Sequence, residues 1–300
     1  MTDVTILTKK DFLIAKNPDW YVKQVILEDQ LLAEALKSFG MSVERRYWDD
    51  PTLDLNQTRC AVVRAVWDYF HRYDEFEPWL NRAAQDTMLI NPLDTIKWNI
   101  HKSYLKDLMN DGIRIPATKF IPQKSLTSLV GHCEQSGWQE FVLKPAIGGA
   151  ARHTYRFKRA EAKNYESIFS ELNEHEMWLL QEFQYSITTK GEVTHVLFDG
   201  EHSHSLIKHA KHGDFRVQDD FSGTLAHHEA SVSEIEFAQN AIRIVDPIPT
   251  YGRVDVIWGN TDQMCVSELE LIEPELWLRL NDQAPISMAK AIQNRLSRST

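Results

Sequence analysis

The chain has 300 residues, which is enough for one large domain or for two or three smaller ones. Its net charge of −10 and its pI of about 5.6 argue against binding to nucleic acid or to an anionic membrane, because both need a basic surface. No run approaches the roughly 18 apolar residues of a membrane span, and the N-terminus lacks a signal pattern. Three scattered cysteines predict reduced thiols, so we expect a cytoplasmic protein.

Residues 1–95 predict an N-terminal α/β domain. A β-rich run at 3–8 is followed by helical spacing from about Asp19 to Phe39. Apolar runs at 41–48 and 60–70 predict two further strands. Strand, helix and strand in succession are typical of an α/β lobe.

The segment after this lobe predicts one long helix. Asp94 or Thr95 is a suitable cap, and the helical pattern runs to Asn110. Pro116 then leads into a strand. Helix, strand, Gly/Ala loop, strand and helix follow in the pattern of residues 124–175.

The remaining chain predicts a second sheet. Residues 178–271 contain five apolar runs, most of them alternating with polar residues, and residues 288–300 predict a closing helix. We therefore expect a central domain over 96–180 and a C-terminal domain over 181–300.

The stretch YGRVDVIWGNTDQMCVSELEL predicts a hairpin with a charged face and an apolar face. If its loop has an even length and is centred near Thr261-Asp262, Asp255 lies opposite Glu268 and Arg253 lies opposite Glu270. Three carboxylates and one guanidinium then share one face of the sheet.

Two interpretations of this charged face stay open. Carboxylates packed together repel one another unless a cation joins them, and hard oxygen ligands on a rigid sheet suit Mg²⁺. The alternative is a solvated face with an ordinary Arg–Glu cross-strand pair. The hairpin alone does not decide between them.

A second candidate element is the strand FVLKP with the loop that follows it. Lys144 ends the strand, and the small residues Gly148 and Gly149 would let backbone NH groups approach phosphate oxygens closely. The alternative is a surface lysine beside a hairpin turn.

Two further segments suggest a binding role only in combination with the hairpin and the glycine loop. The strand end Gln181-Glu182-Phe183 could offer backbone groups to an adenine edge and a ring to pack on the base. Arg216, in a basic segment bounded by glycine, could clamp phosphates and a reacting carboxylate. Taken singly, they read as an ordinary strand end and a solvated loop.

Substrate selection is expected from the N-terminal lobe. Arg64 and Asp68 follow a predicted strand at its C-terminal end, where ligand sites of α/β folds gather. Arg64 could bind a carboxylate and Asp68 an amino group. A structural Arg–Asp pair beneath an aromatic cluster is an alternative that the sequence supports equally well.

In this order the elements resemble the ATP-grasp superfamily, in the branch of glutathione synthetase, D-alanine–D-alanine ligase and the RimK-type ligases. The resemblance covers roughly residues 96–285. RAVWDYFHRYDEFEPWL and INPLDTIKWNIHK also resemble a subgroup that includes the O-ureido-serine cyclo-ligase. Two positions depart from the wider pattern: Glu270 stands where many relatives have Asn, and Thr194 stands where glutathione synthetase has a basic residue.

The resemblance implies a fold and a set of ligand-binding residues. The fold is α/β (α+β), with a Rossmann-like lobe before two α+β lobes that clasp ATP. The resemblance implies nucleotide contacts at Lys102, Lys144, Gly148, Gly149, Gln181, Glu182, Phe183 and Glu192. It implies Asp255, Glu268 and Glu270 as ligands of two Mg²⁺ ions, with Mn²⁺ as an alternative. Arg253 and Arg216 are then expected to stabilise the phosphoryl-transfer and tetrahedral states.

The implied reaction is an ADP-forming carbon–nitrogen ligation. ATP would convert a carboxylate into an acyl phosphate, and an amine of the same or a second small, amino-acid-like molecule would displace phosphate. A kinase that stops at phosphoryl transfer and a non-catalytic nucleotide-binding module are the alternatives. No nucleic acid or membrane partner is expected, and the resemblance allows a homodimer.

Overall fold

The computed structural model describes residues 1–149, 151–211 and 223–298. Its N-terminal lobe is a parallel sheet in the order β2-β1-β3-β4, as the strand–helix–strand pattern predicts. Asp19 caps the long helix α2 by accepting a hydrogen bond from the Val22 backbone NH. The elements of this lobe are β1 (Thr2–Thr8), α1 (Lys10–Ile14), α2 (Trp20–Ser38), β2 (Val43–Tyr47), β3 (Thr58–Val63), α3 (Tyr73–Asp86) and β4 (Met88–Ile90).

The predicted single helix after this lobe is wrong. The structure has two helices, α4 (Leu93–Ile100) and α5 (Tyr104–Asn110), with a break at 101–103. At the break the Lys102 backbone NH donates to the Ala146 carbonyl at 2.8 Å. The run at 60–70 is likewise a strand only as far as Val63, and α3 was not predicted.

The central lobe is an antiparallel sheet in the order β5-β8-β6-β7, covered by two helices. Its core includes the stacked rings of Phe141 and Phe157, 5.5 Å apart. The predicted domain boundary at 180 falls inside β8, because this strand pairs with β5 and β6 throughout its length. The elements are β5 (Thr118–Ile121), α6 (Leu129–Ser136), β6 (Glu140–Pro145), β7 (Tyr155–Lys158), α7 (Glu166–Asn173) and β8 (Trp178–Glu182).

The C-terminal lobe is an antiparallel sheet in the order β11-β10-β9-β12-β13. Ser231 and Glu234 form a capping box at the start of α9, a helix that the sequence interpretation missed. The last helix, α10, packs on α2, so the two ends of the chain share one core. The elements are α8 (Ser186–Thr189), β9 (Glu192–Phe198), β10 (Glu201–His209), β11 (Thr224–His227), α9 (Val232–Arg243), β12 (Tyr251–Trp258), β13 (Met264–Glu270) and α10 (Ala284–Ser297).

Side-chain hydrogen bonds join the N-terminal lobe to the hairpin β12–β13. The Asn91 amide donates to the Tyr251 and Leu271 carbonyls, both at 2.8 Å, and the Tyr251 hydroxyl contacts carbonyls of both lobes. These contacts are buried, where unpaired backbone groups are costly. Within the described ranges, no helix combines the length and the apolar character needed to cross a bilayer.

Candidate active site

A cavity of about 680 Å³ lies where the three lobes meet. Its walls come from the ends of parallel strands in the N-terminal lobe and from the facing sheets of the other two lobes. Arg64 does not line it, and Arg216 lies outside the described residues. The predicted residues that line the cavity are Asp68, Lys102, Lys144, Gly148, Gly149, Gln181, Glu182, Phe183, Glu192, Arg253, Asp255, Glu268 and Glu270.

The hairpin places the charged residues in the predicted register. Asp255 pairs with Glu268, and Arg253 pairs with Glu270. The prediction assumed a turn of even length, but the turn has five residues, 259–263. An irregularity between Asp255 and Val256 leaves Ser267 as an extra residue and restores the register.

Asp255, Glu268 and Glu270 form what we call the floor of the cavity, and Arg253 and Lys208 hold Asp255 there. The Arg253 Nε and Nη2 atoms donate to its two carboxylate oxygens at 3.0 and 2.9 Å, and the Lys208 Nζ donates at 3.1 Å. The Thr194 hydroxyl also donates to Asp255. Burial by itself raises the pKa of Asp255, but Arg253 and Lys208 hold it well below its usual range.

The two glutamates differ in their partners. Glu268 is paired with the Lys102 ammonium, and Glu270 is paired with the Arg253 guanidinium. Burial opposes ionisation of Glu268, but Lys102 and Lys144 outweigh it and lower its pKa. Burial raises the pKa of Glu270 to about 7, because Arg253 offsets it only in part and Glu268 and Asp255 add repulsion.

Lys102 and Lys144 approach the floor from two sides. The helix break places Lys102 against Glu268, and β6 carries Lys144 into the cavity. Burial lowers the pKa of Lys144 to about 8, while the Glu268 carboxylate works against this shift. Both lysines are largely buried in the cavity wall, so their ammonium groups have lost contacts with water. An anionic ligand in the cavity would compensate for this loss.

Lys208 was missed by the sequence interpretation, although its partners Glu192 and Asp255 were predicted site residues. Its buried Nζ lies 2.7 Å from the Glu192 Oε1 and bridges this carboxylate to Asp255. The Ser267 hydroxyl donates to the other oxygen of Glu192 at 2.7 Å. The alternation in HSHSLIKHA shows which face Lys208 occupies, but its partners lie on β9 and β12, which only the fold brings together.

The strand β13 lies at the edge of its sheet, and side chains replace the missing neighbour strand. The Asn99 amide donates to the Leu269 carbonyl and accepts from the Leu271 NH, both at 2.8 Å. The Tyr104 hydroxyl accepts from the Leu269 NH at 3.0 Å. Because Leu269 and Leu271 flank Glu270, these contacts fix the backbone that carries the carboxylates.

We expect Asn99→Ala to lower the free energy of unfolding by about 3 kcal/mol, because it leaves a buried carbonyl and a buried NH of β13 without partners. Urea unfolding measures this loss. Asn240→Ala, at an exposed position of α9, is the matched control. Equal stability of the Asn99 variant and the wild type would show that Asn99 does not anchor the strand.

The loop after Lys144 packs closely against the N-terminal lobe. A Cβ on Gly149 would lie 2.7 Å from the Phe70 ring, so this position requires glycine. The Arg152 guanidinium holds the loop from the other side through the Ile147 carbonyl and the Glu176 carboxylate.

The strand end at Gln181–Phe183 forms part of the cavity wall. The Gln181 amide donates to the Thr118 hydroxyl at 2.9 Å, and the Phe183 NH donates to the Glu140 carbonyl at 2.9 Å. Phe183 is buried, with the Arg156 guanidinium 3.7 Å from its ring centroid. One ring face is therefore already covered.

Arg64 and Asp68 do not form the pair that was considered. Arg64 is 4% exposed, donates to the Pro274 carbonyl at 2.9 Å and faces Glu28 and Asp29 of α2. These contacts give it a structural role, which corrects its assignment as a carboxylate binder. Asp68 lines the cavity but accepts hydrogen bonds from Trp48 and Arg72.

The donor set at the floor fits Mg²⁺. Carboxylate oxygens of Asp255, Glu268 and Glu270 all lie within 4.8 Å of one another, and no other such trio occurs among the described residues. Hard oxygen donors are the ligands that Mg²⁺ prefers. Lys102, Lys208 and Arg253 supply positive charge around these three carboxylates.

The chain is similar to known proteins over most of its length. The family model "D-cycloserine synthetase DcsG, N-terminal domain" matches residues 4–91. The "Cycloserine biosynthesis protein DcsG" of Streptomyces lavendulae is 28% identical over 280 residues, which cover 88% of this chain and 92% of that protein.

Solved structures show the same fold. The crystal structure of D-cycloserine synthetase DcsG has a TM-score of 0.85 and 24% identity, and the match covers 98% of this chain and 99% of that one. The ATP-grasp ligase PsnB, solved with a precursor variant, Mg and ADP, has a TM-score of 0.64 and 14% identity, with 98% and 99% covered. The chain therefore shares the fold of these two solved structures over nearly its whole length.

Proposed function

We propose that this protein uses ATP and Mg²⁺ to activate the carboxylate of a small, amino-acid-like substrate and joins it to an amine within the same molecule. One observation carries this proposal. Asp255, Glu268 and Glu270 meet Lys102 and Lys144 on the floor of one cavity between the three lobes. The similarity to a cycloserine biosynthesis protein over 88% of the chain supports the substrate class and the ring closure.

ATP is expected to lie between the central and C-terminal lobes. The ammonium groups of Lys102 and Lys144 would contact its phosphates, and the Gly148-Gly149 backbone would cover them. The segment Gln181–Phe183 would receive the adenine edge through its backbone, since the Phe183 ring is already packed. Glu192 would lie near the ribose or the substrate end.

The three carboxylates would hold two Mg²⁺ ions, with Mn²⁺ as an alternative. When bound, these ions offset charge on the phosphate oxygens during transfer. The protein's own share is alignment, because a rigid sheet holds the carboxylates and lysines in fixed positions before the substrates arrive.

Arg253 is the proposed group that stabilises charge on the reacting carboxylate. Its guanidinium is fixed by Asp255 and Glu270, and it lies 5.2 Å from the Trp277 ring centroid. A donor that is already oriented costs little reorganisation in the transition state. Arg216 remains a proposed second cation. We also propose that Asp68, which lines the cavity from the N-terminal lobe, contacts the substrate.

The test is ADP release with Mg²⁺, ATP and a panel of small amino acids, in the presence and absence of hydroxylamine. Hydroxylamine displaces phosphate from an acyl phosphate and leaves a hydroxamate. ADP, phosphate and hydroxamate together support the ligase. A stable phosphorylated product would indicate a kinase, and ATP binding without turnover on any acid would indicate a binding module.

A cytoplasmic location is also proposed. The three cysteines, Cys60, Cys133 and Cys265, are buried and free. This arrangement fits a reducing compartment.

A further inference from the structure

One cavity carboxylate, Glu273, differs from those on the floor in lacking a cationic partner. Four carboxylates at or beside the floor form ion pairs: Asp255 with Arg253 and Lys208, Glu268 with Lys102, Glu270 with Arg253, and Glu192 with Lys208. Among the described residues, no lysine, arginine or histidine lies within ion-pair distance of Glu273. Its carboxylate contacts the Tyr69 hydroxyl.

The backbone around Glu273 is held by three donors. The Trp67 indole NH donates to the Glu273 carbonyl at 2.8 Å, and Arg64 donates to the Pro274 carbonyl at 2.9 Å. Arg253 donates to the Glu275 carbonyl at 3.3 Å. The backbone that carries the carboxylate is therefore fixed, and the side chain itself contacts Tyr69.

Glu273 lies beside the N-terminal lobe, the part of the cavity where the substrate is expected. It follows the proposed Mg²⁺ ligand Glu270 by three residues, and the wall beside it is formed by Phe12, Tyr21 and Trp67 of the N-terminal lobe. The segment Gln181–Phe183, where the nucleotide is expected, lines the same cavity. A group bound by Glu273 would therefore be close to the carboxylate that is activated.

An unpaired carboxylate in this place is costly without a ligand. Burial and the nearby Glu270 raise the pKa of Glu273 to about 8, and the Tyr69 hydroxyl and the more distant Lys102 ammonium offset this only in part. A cation beside it would remove the cost, because opposite charges attract strongly where water is scarce.

We propose that Glu273 binds the ammonium group of the amino-acid-like substrate and so selects for it. This inference rests on the proposed ligase function. Arg64 and Trp67 then serve as positioning residues for this carboxylate.

The test compares acids with and without the amino group. The probes are D- and L-alanine, serine and homoserine, together with propionate, 3-hydroxypropionate and 4-hydroxybutyrate as counterparts, assayed by hydroxamate formation with MgATP and hydroxylamine. The wild type should prefer the amino acids. In Glu273→Gln the KM for the amino acid should rise by roughly 10- to 100-fold, with kcat and the KM for MgATP nearly unchanged.

The control is Glu236→Gln, the same change at an exposed position of α9. Urea unfolding and MgATP binding show whether the Glu273 variant is folded. Equal use of both kinds of acid by the wild type would overturn the proposal, as would an unchanged KM in the glutamine variant. A fall in kcat alone that recovers at high pH would assign Glu273 to proton transfer and also overturn it. No ADP release from any acid would instead contradict the ligase function itself.

Discussion

Glu268→Gln is expected to abolish ATP turnover, by roughly 1000-fold or more, while the fold is retained. Glu268 is one of the three carboxylates that share a possible ion, and it is the partner of Lys102. Glutamine preserves its shape but removes the charge that a hard cation needs. It also leaves the Lys102 ammonium without its partner.

Stability should change little, because two effects oppose each other. Loss of the Lys102 partner is unfavourable, whereas removal of one charge relieves the repulsion among Asp255, Glu268 and Glu270. Coupled ADP-release kinetics over a Mg²⁺ titration measure the activity, and urea unfolding measures the stability. Glu236→Gln serves as the control here too. Turnover at the wild-type level in the Glu268 variant would disprove the metal assignment.

The charged hairpin shows how much of the site the sequence could predict. Alternation along each strand fixed which side chains share a face, so the floor was predicted before its partners were known. The turn length was predicted wrongly, yet the register was right, because the extra residue Ser267 compensates for the odd loop. Alternation along a strand therefore predicts which side chains share a face, whereas the pairing register between two strands also depends on bulges.

Other parts of the site depend on contacts between distant segments. Asn99 reads as an ordinary helix residue, and its function appears only when α4 lies along the free edge of β13. Lys208 reads as one polar residue of an alternating strand. For Arg64 the sequence left a ligand-binding and a structural role open, because its neighbours Glu28 and Asp29, on α2, could not be inferred from spacing.

The departure at position 270 also has a physical explanation in the structure. Glu270 takes a hydrogen bond from Arg253 and shares this guanidinium with Asp255. An asparagine there would offer no charge to pair with Arg253. The additional carboxylate therefore fixes the arginine as well as adding a potential ligand.

Arg253→Lys is expected to lower turnover by roughly 100- to 1000-fold, although the charge is kept. The guanidinium uses Nε and Nη2 to hold both oxygens of Asp255, and its Nη1 donates to the Glu275 carbonyl. A lysine supplies one point charge and cannot form this fork, so Asp255 and the segment that carries Glu273 would both lose a fixed contact.

The measurements for Arg253→Lys are kcat and the KM values for MgATP and for the acid. Arg243→Lys is the matched control, since Arg243 is exposed on α9 and pairs only loosely with Glu201 at 3.4 Å. We expect kcat to fall most, because the fork orients a donor for the transition state and contributes less to ground-state binding. If the lysine variant kept more than about a third of the wild-type kcat, a positive charge alone would suffice and the oriented guanidinium would not be required.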